Sequence, residues 1–121
     1  MIAIPVIAAL FFLAMGLVAL VVPERITATF GTPALTVDGR NEVRAVYGGF
    51  GVAIGVLLLA AERLPPIRQG ALLAVAVALA GMAGGRLVAA ALERPRTFYP
   101  AWFYCAVETV GAVALLVAAG S

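Results

Sequence analysis

Asn41-Glu42-Val43-Arg44-Ala45-Val46-Tyr47-Gly48-Gly49-Phe50-Gly51-Val52-Ala53-Ile54-Gly55 runs from charged residues into an apolar stretch without a break. Read as a helix, Arg44, Gly48, Gly51 and Gly55 recur at steps of four, three and four and so share one face. Aligned glycines let a neighbouring backbone come close, and Gly51-x-x-x-Gly55 is the small-xxx-small pattern of contacts between membrane helices. Arg44 is therefore expected to face protein rather than lipid, with other membrane-buried charges gathered around it. Gly48 joins Gly51 and Gly55 as a packing residue.

Working outward, the surrounding chain is too apolar for a soluble domain. Of its 121 residues 64% are hydrophobic and 12% charged, with mean hydropathy +1.13, whereas soluble domains carry about a quarter charged residues. The length is that of one domain. All eight basic residues are Arg, His is absent, and a scattered net charge of +2 argues against a nucleic-acid partner. Cys105 is alone, so there is no disulfide framework, and the usual zinc ligands are missing. No cofactor is expected.

Four apolar runs of spanning length follow, each near the roughly 20 residues that cross a bilayer as a helix. They are residues 2–22, 39–61, 67–92 and 101–119. The first lacks a basic leader and a small-residue cleavage site, and reads as a retained helix with Pro5 in its first turn. Residues 23–40 form a polar connection whose first half suits a short interfacial turn. Asp38 is the expected N-cap of the second helix. Glu62-Arg63-Leu64-Pro65-Pro66 stops that helix and forces a tight hairpin. Gly81 and Gly85 give the third helix its own small-xxx-small pair. Phe98, Tyr99, Trp102, Phe103 and Tyr104 look like an aromatic belt at the lipid boundary. The expected fold is an all-α, four-helix transmembrane bundle. Arg25, Arg40, Arg94 and Arg96 load one set of loops, which the positive-inside rule places in the cytoplasm, with both termini outside.

Depth singles out the candidate site. Arg86 lies six residues before the end of the third run, about 9 Å below the boundary at the helical rise. Glu108 lies seven residues into the fourth, about 10 Å below the same boundary. Arg44 enters from that face, with Tyr47 about a turn deeper, so Arg44, Tyr47, Arg86 and Glu108 converge on one level from three helices. Charges so placed cost roughly 2.5–3.5 kcal/mol each near mid-bilayer and are usually paired or functional. The bland reading is a pair that only fixes packing. The sharper one counts two Arg against one Glu, a net positive pocket for an anion, a carboxylate or a lipid head group. A proton-carrying Glu108 is a third. Tyr47 doubles as an anchor candidate, Cys105 as packing, and Thr109 as a residue that back-bonds in its own helix. With no nucleophilic triad, phosphate loop or metal cluster, the chain does not read as an enzyme. The competing class is a structural or assembly subunit of a larger membrane complex, held by its glycine faces. Homodimerisation through Gly51 or Gly81, and membrane lipid as a partner, are the interactions expected.

The motif Asn41-x-x-Arg44-Ala45-x-Tyr47-Gly48-Gly49, followed by Gly84-Gly85-Arg86 and a Glu108 in the last helix, resembles an uncharacterised bacterial family of small four-helix membrane proteins, catalogued as a domain of unknown function. The resemblance covers nearly the whole chain and implies a four-helix bundle in a bacterial inner membrane, with no assigned activity to carry over. More loosely, the architecture is similar to DoxX-like membrane proteins. Glu93-Arg94-Pro95-Arg96 departs from the Asp-Gly-x-Pro expected after the third helix. Small multidrug transporters share the size and one embedded glutamate, but theirs belongs to the first helix, which carries no charge here.

Overall fold

Proline and glycine punctuate an otherwise continuous run of helix. The computed structural model describes residues 3–32 and 35–121, and these contain helices and no strand. Helix α1 spans Ala3–Val21 and ends where Pro23 opens the short α2, Pro23–Ala28. Proline suits that first position because a helix's leading N–H groups have no partner anyway. A turn through Gly31, at φ +87, leads out of α2. Helix α3, Val37–Ala61, contains a π-helical stretch at Arg44–Gly49. Pro65 opens α4, Pro65–Leu92, after a tight turn. Helix α5, Phe98–Ala119, is kinked at Tyr99, whose φ −92, ψ 135 is extended. Four of these, α1, α3, α4 and α5, are long and apolar enough to cross a membrane. The result is the all-α bundle of a membrane protein.

Two details differ from the sequence reading. Thr36, not Asp38, caps α3: its hydroxyl accepts the Gly39 N–H at 3.0 Å. Two cap-forming residues two positions apart compete, and the extended backbone at Thr36 (φ −75, ψ 171) suits the cap. The polar connection is also more ordered than a turn, since α2 is tied to the following loop by Arg40, which bridges Glu24 at 3.4 Å and donates to the Leu35 carbonyl at 2.7 Å. Ile2 and Pro33 lie outside the described residues.

The bundle is two antiparallel hairpins, each closed by a different device. In hydrocarbon, helices gain little from hiding apolar surface, and close backbone approach takes its place. Helices α1 and α3 meet through Gly16, Gly48, Gly51 and Gly55. A Cβ on Gly16 would fall 2.6 Å from Val52 N and 2.8 Å from Gly48 O, and one on Gly55 2.5 Å from Leu13 Cγ and 2.9 Å from Ala9 O. The expected face of α3 therefore packs, and its partner is α1. Gly81 and Gly85 behave otherwise: a Cβ on either would meet nothing within 4 Å, so this pair packs against no helix of the protomer.

Helices α4 and α5 form the second hairpin. At its open end, away from the connecting loop, Arg68 bridges Glu62 at 3.0 Å and donates to the Ala118 carbonyl at 3.2 Å, while Gln69 reaches the Ala119 carbonyl at 3.3 Å. These bonds bring side-chain donors of α4 to the last carbonyls of α5, of which Ala118 also accepts from Ser121. A core of Ala9, Phe12, Leu58, Leu72, Leu79 and Leu115, with neighbouring small residues, joins the two hairpins. Along the α1–α5 seam they touch only sparsely.

Gly16→Ala should lower the thermal midpoint in detergent sharply, because the obstructing atoms are backbone. Gly81→Ala should leave it unchanged or raise it by the equivalent of about 0.5–1 kcal/mol. Equal losses in a thermal-unfolding assay would mean the two glycine faces are equally packed. Cysteines replacing Arg25 and Arg94 should label from one side of the membrane and a cysteine replacing Arg63 from the other. Arg63 and Arg94 on the same side would overturn four crossings.

Candidate functional site

Where the seam between α1 and α5 stays open, it leaves a cleft of about 1090 Å³. On α1 the lining runs from Ile4 to Val18, and α5 faces it with residues from Phe98 to Leu115. Ile26, Thr29 and Phe30 close the end next to α2. Nearly all of this wall is aliphatic or aromatic. Its polar members are Thr29, Tyr47, Arg86, Tyr104 and Glu108, which include three of the four residues whose depths coincide in the sequence.

Glu108 is the buried charged residue of the described chain, 5% exposed. Its carboxylate accepts two bonds from Arg86, Nε to Oε1 at 2.7 Å and Nη2 to Oε2 at 3.0 Å. This is the bidentate geometry in which a guanidinium matches a carboxylate. It forms because α4 and α5 run antiparallel and place both residues on facing sides at one level. Two rings steady the guanidinium, whose carbon lies 5.8 Å from the centre of Phe30 and 5.7 Å from that of Tyr104. Such cation–π contacts strengthen where water is scarce.

Arg44 does not join this group. Its Nε donates to the Leu20 carbonyl of α1 at 2.8 Å, and the residue is exposed. The reason is angular. Arg44 shares the glycine face, that face is directed at α1, and the cleft lies round the helix on the side of Tyr47. A pocket expected to hold two Arg and one Glu thus holds a neutral pair. Tyr47 is 38% exposed and lines the cleft.

Sequence reasoning missed Phe30 and Tyr104. Tyr104 lies four residues before Glu108, on the same helical face, and that spacing was the available signal. Its ring also packs against Tyr99 at 5.9 Å, Phe103 at 5.1 Å and Phe30 at 5.7 Å, so the aromatic group is a connected cluster beside the ion pair. Cys105 is buried, with Sγ 3.8 Å from the Ala83 carbonyl. Thr109 donates to the Cys105 carbonyl at 2.8 Å, as expected of a back-bonding threonine. Among the described residues no group of His, Cys, Asp and Glu could hold a metal ion.

Removing one member of a buried pair leaves the other uncompensated, which typically costs about 3–5 kcal/mol, while replacing both by apolar residues is often neutral. Arg86→Met/Glu108→Met should therefore be more heat-resistant than either single variant. Arg44→Met/Glu108→Met should show no such rescue. Additive losses in the first double variant, measured by thermal unfolding, would mean that the two side chains do not support one another.

No curated protein and no solved structure matches the chain. A family profile, Domain of unknown function (DUF4345), matches residues 2–119, nearly the full length. The chain is a member of the DUF4345 family.

Proposed function

We propose that the protein is a membrane binding or transport-type protein, not an enzyme, whose ligand is lipid-like and lies in the α1–α5 cleft. Its polar end rests at Arg86, Glu108 and Tyr47. The observation that carries this reading is the cleft itself: a largely apolar cavity of about 1090 Å³ with the Arg86–Glu108 pair on its wall. Ligand sites are typically apolar concavities with a few convergent polar groups. A small anion is less well served, because the second arginine that would have made the pocket positive lies against Leu20. In this reading the membrane is a bacterial inner membrane, the Arg-rich loops lie in the cytoplasm and both termini lie outside.

One observation favours a second reading, a subunit or homodimer held through α4. Gly70, Ala74, Ala78, Gly81, Gly85 and Ala89 follow one another along that helix at steps of three or four, and all are exposed. Such a stripe fits the close approach of another helix. Gly51 is unsuited to that role, because its face is already occupied by α1.

Native mass spectrometry from nanodiscs, with lipid analysis of the released material, separates the two. The expected result is a retained amphiphile, lost in Ala114→Phe, which fills the cleft without touching the ion pair. A chain that retains no amphiphile but leaves the membrane as a dimer or with a protein partner would replace this reading by the second.

A further inference from the structure

We infer that the head group recognised in the cleft is uncharged and accepts hydrogen bonds, as an ester, ketone or alcohol oxygen does. This rests on the cleft being a ligand site and specifies what the site selects. The argument begins with charge. Arg86 and Glu108 neutralise each other through two bonds, so the polar end of the cleft has no net charge to offer. An anionic head could reach the open Nη1 but would have to share one positive charge with Glu108, leaving an excess negative charge in a low-dielectric setting. A cationic head would have to share with Arg86 the single negative charge of Glu108.

The donors point the same way. A guanidinium carries five N–H groups, of which the pair uses one on Nε and one on Nη2. The Nη1 group makes no hydrogen bond among the described residues, and Arg86 lines the cleft with a side chain 26% exposed. The Tyr47 hydroxyl, also on the cleft, makes none either. Spare donors without spare charge suit a neutral acceptor. The Phe30 and Tyr104 rings cover the guanidinium and hold it in place, so the unused N–H groups keep their positions when a ligand arrives. From Ile4 to Val18 the α1 wall spans 15 residues, about 21 Å at the helical rise, which accommodates a long single chain.

The test is a head-group series on one chain length, measured by ligand competition on the full protein in nanodiscs. The probes are methyl hexadecanoate, hexadecanol, hexadecyl sulfate, hexadecyltrimethylammonium and hexadecane. The ester and the alcohol should bind at least roughly tenfold more tightly than the sulfate and the ammonium. In Arg86→Met/Glu108→Met both should weaken, and with Tyr47→Phe added both should fall to the level of hexadecane. Arg86→Lys, which keeps the charge but not the fork, should weaken the ester while leaving hexadecane unchanged. Sulfate binding as tightly as the ester would overturn the inference, as would equal affinity for all five. Failure of all five, hexadecane included, would remove the cleft as a ligand site and this inference with it, whereas a reversed head-group order leaves the cleft standing and only the selectivity wrong.

Discussion

A guanidinium in hydrocarbon has to be neutralised by something the protein itself supplies, and Glu108 is what this chain supplies to Arg86. The bidentate pair sets the relative rotation of α4 and α5, because two parallel bonds of 2.7 and 3.0 Å tolerate little twist. At the opposite end of the same hairpin, Arg68 and Gln69 grip the last carbonyls of α5. The α1–α3 hairpin is held by glycines that bring the two backbones into contact, with Arg44 donating across it to the Leu20 carbonyl. The cleft follows from these two closures. Each hairpin is tight within itself, and the apolar core joins them without sealing the seam between α1 and α5.

Much of the fold was legible because crossing a bilayer demands a length and a composition that few other structures need. The spans could be counted, and the glycines of α3 announced a close helix contact. Depth was legible for the same reason: position along a helix converts directly into distance from the boundary. That is why Arg86 and Glu108 could be matched in advance.

Rotation about each helix axis was not legible. Arg44 has the right depth and the wrong direction, since its face serves α1 while Tyr47 serves the cleft. A small-residue pair likewise announces an approachable surface without naming what approaches it, and Gly51 and Gly81 turned out to differ in that respect. Phe30 comes from a distant segment, so only the folded chain could bring it over Arg86. Tyr104 could have been found from its spacing to Glu108, but an aromatic near a boundary has a ready alternative explanation as an anchor.

Helix α4 is out of scale with its neighbours. It has 28 residues against 19 in α1, about 42 Å against about 28 Å at the helical rise, across a hydrocarbon layer of roughly 30 Å. Tilt alone would need an angle of about 45°, beyond the usual range of transmembrane helices. The excess must therefore extend into the head-group layer at one or both ends. Arg68 and Gln69 mark one such end, where their bonds to the α5 carbonyls bind the overhanging turn to its neighbour. A thicker bilayer would draw α4 inward and leave α1 too short. Helices α1 and α4, one from each hairpin, thus match different membrane thicknesses, and each hairpin pairs a shorter helix with a longer one: 19 with 25 residues and 22 with 28.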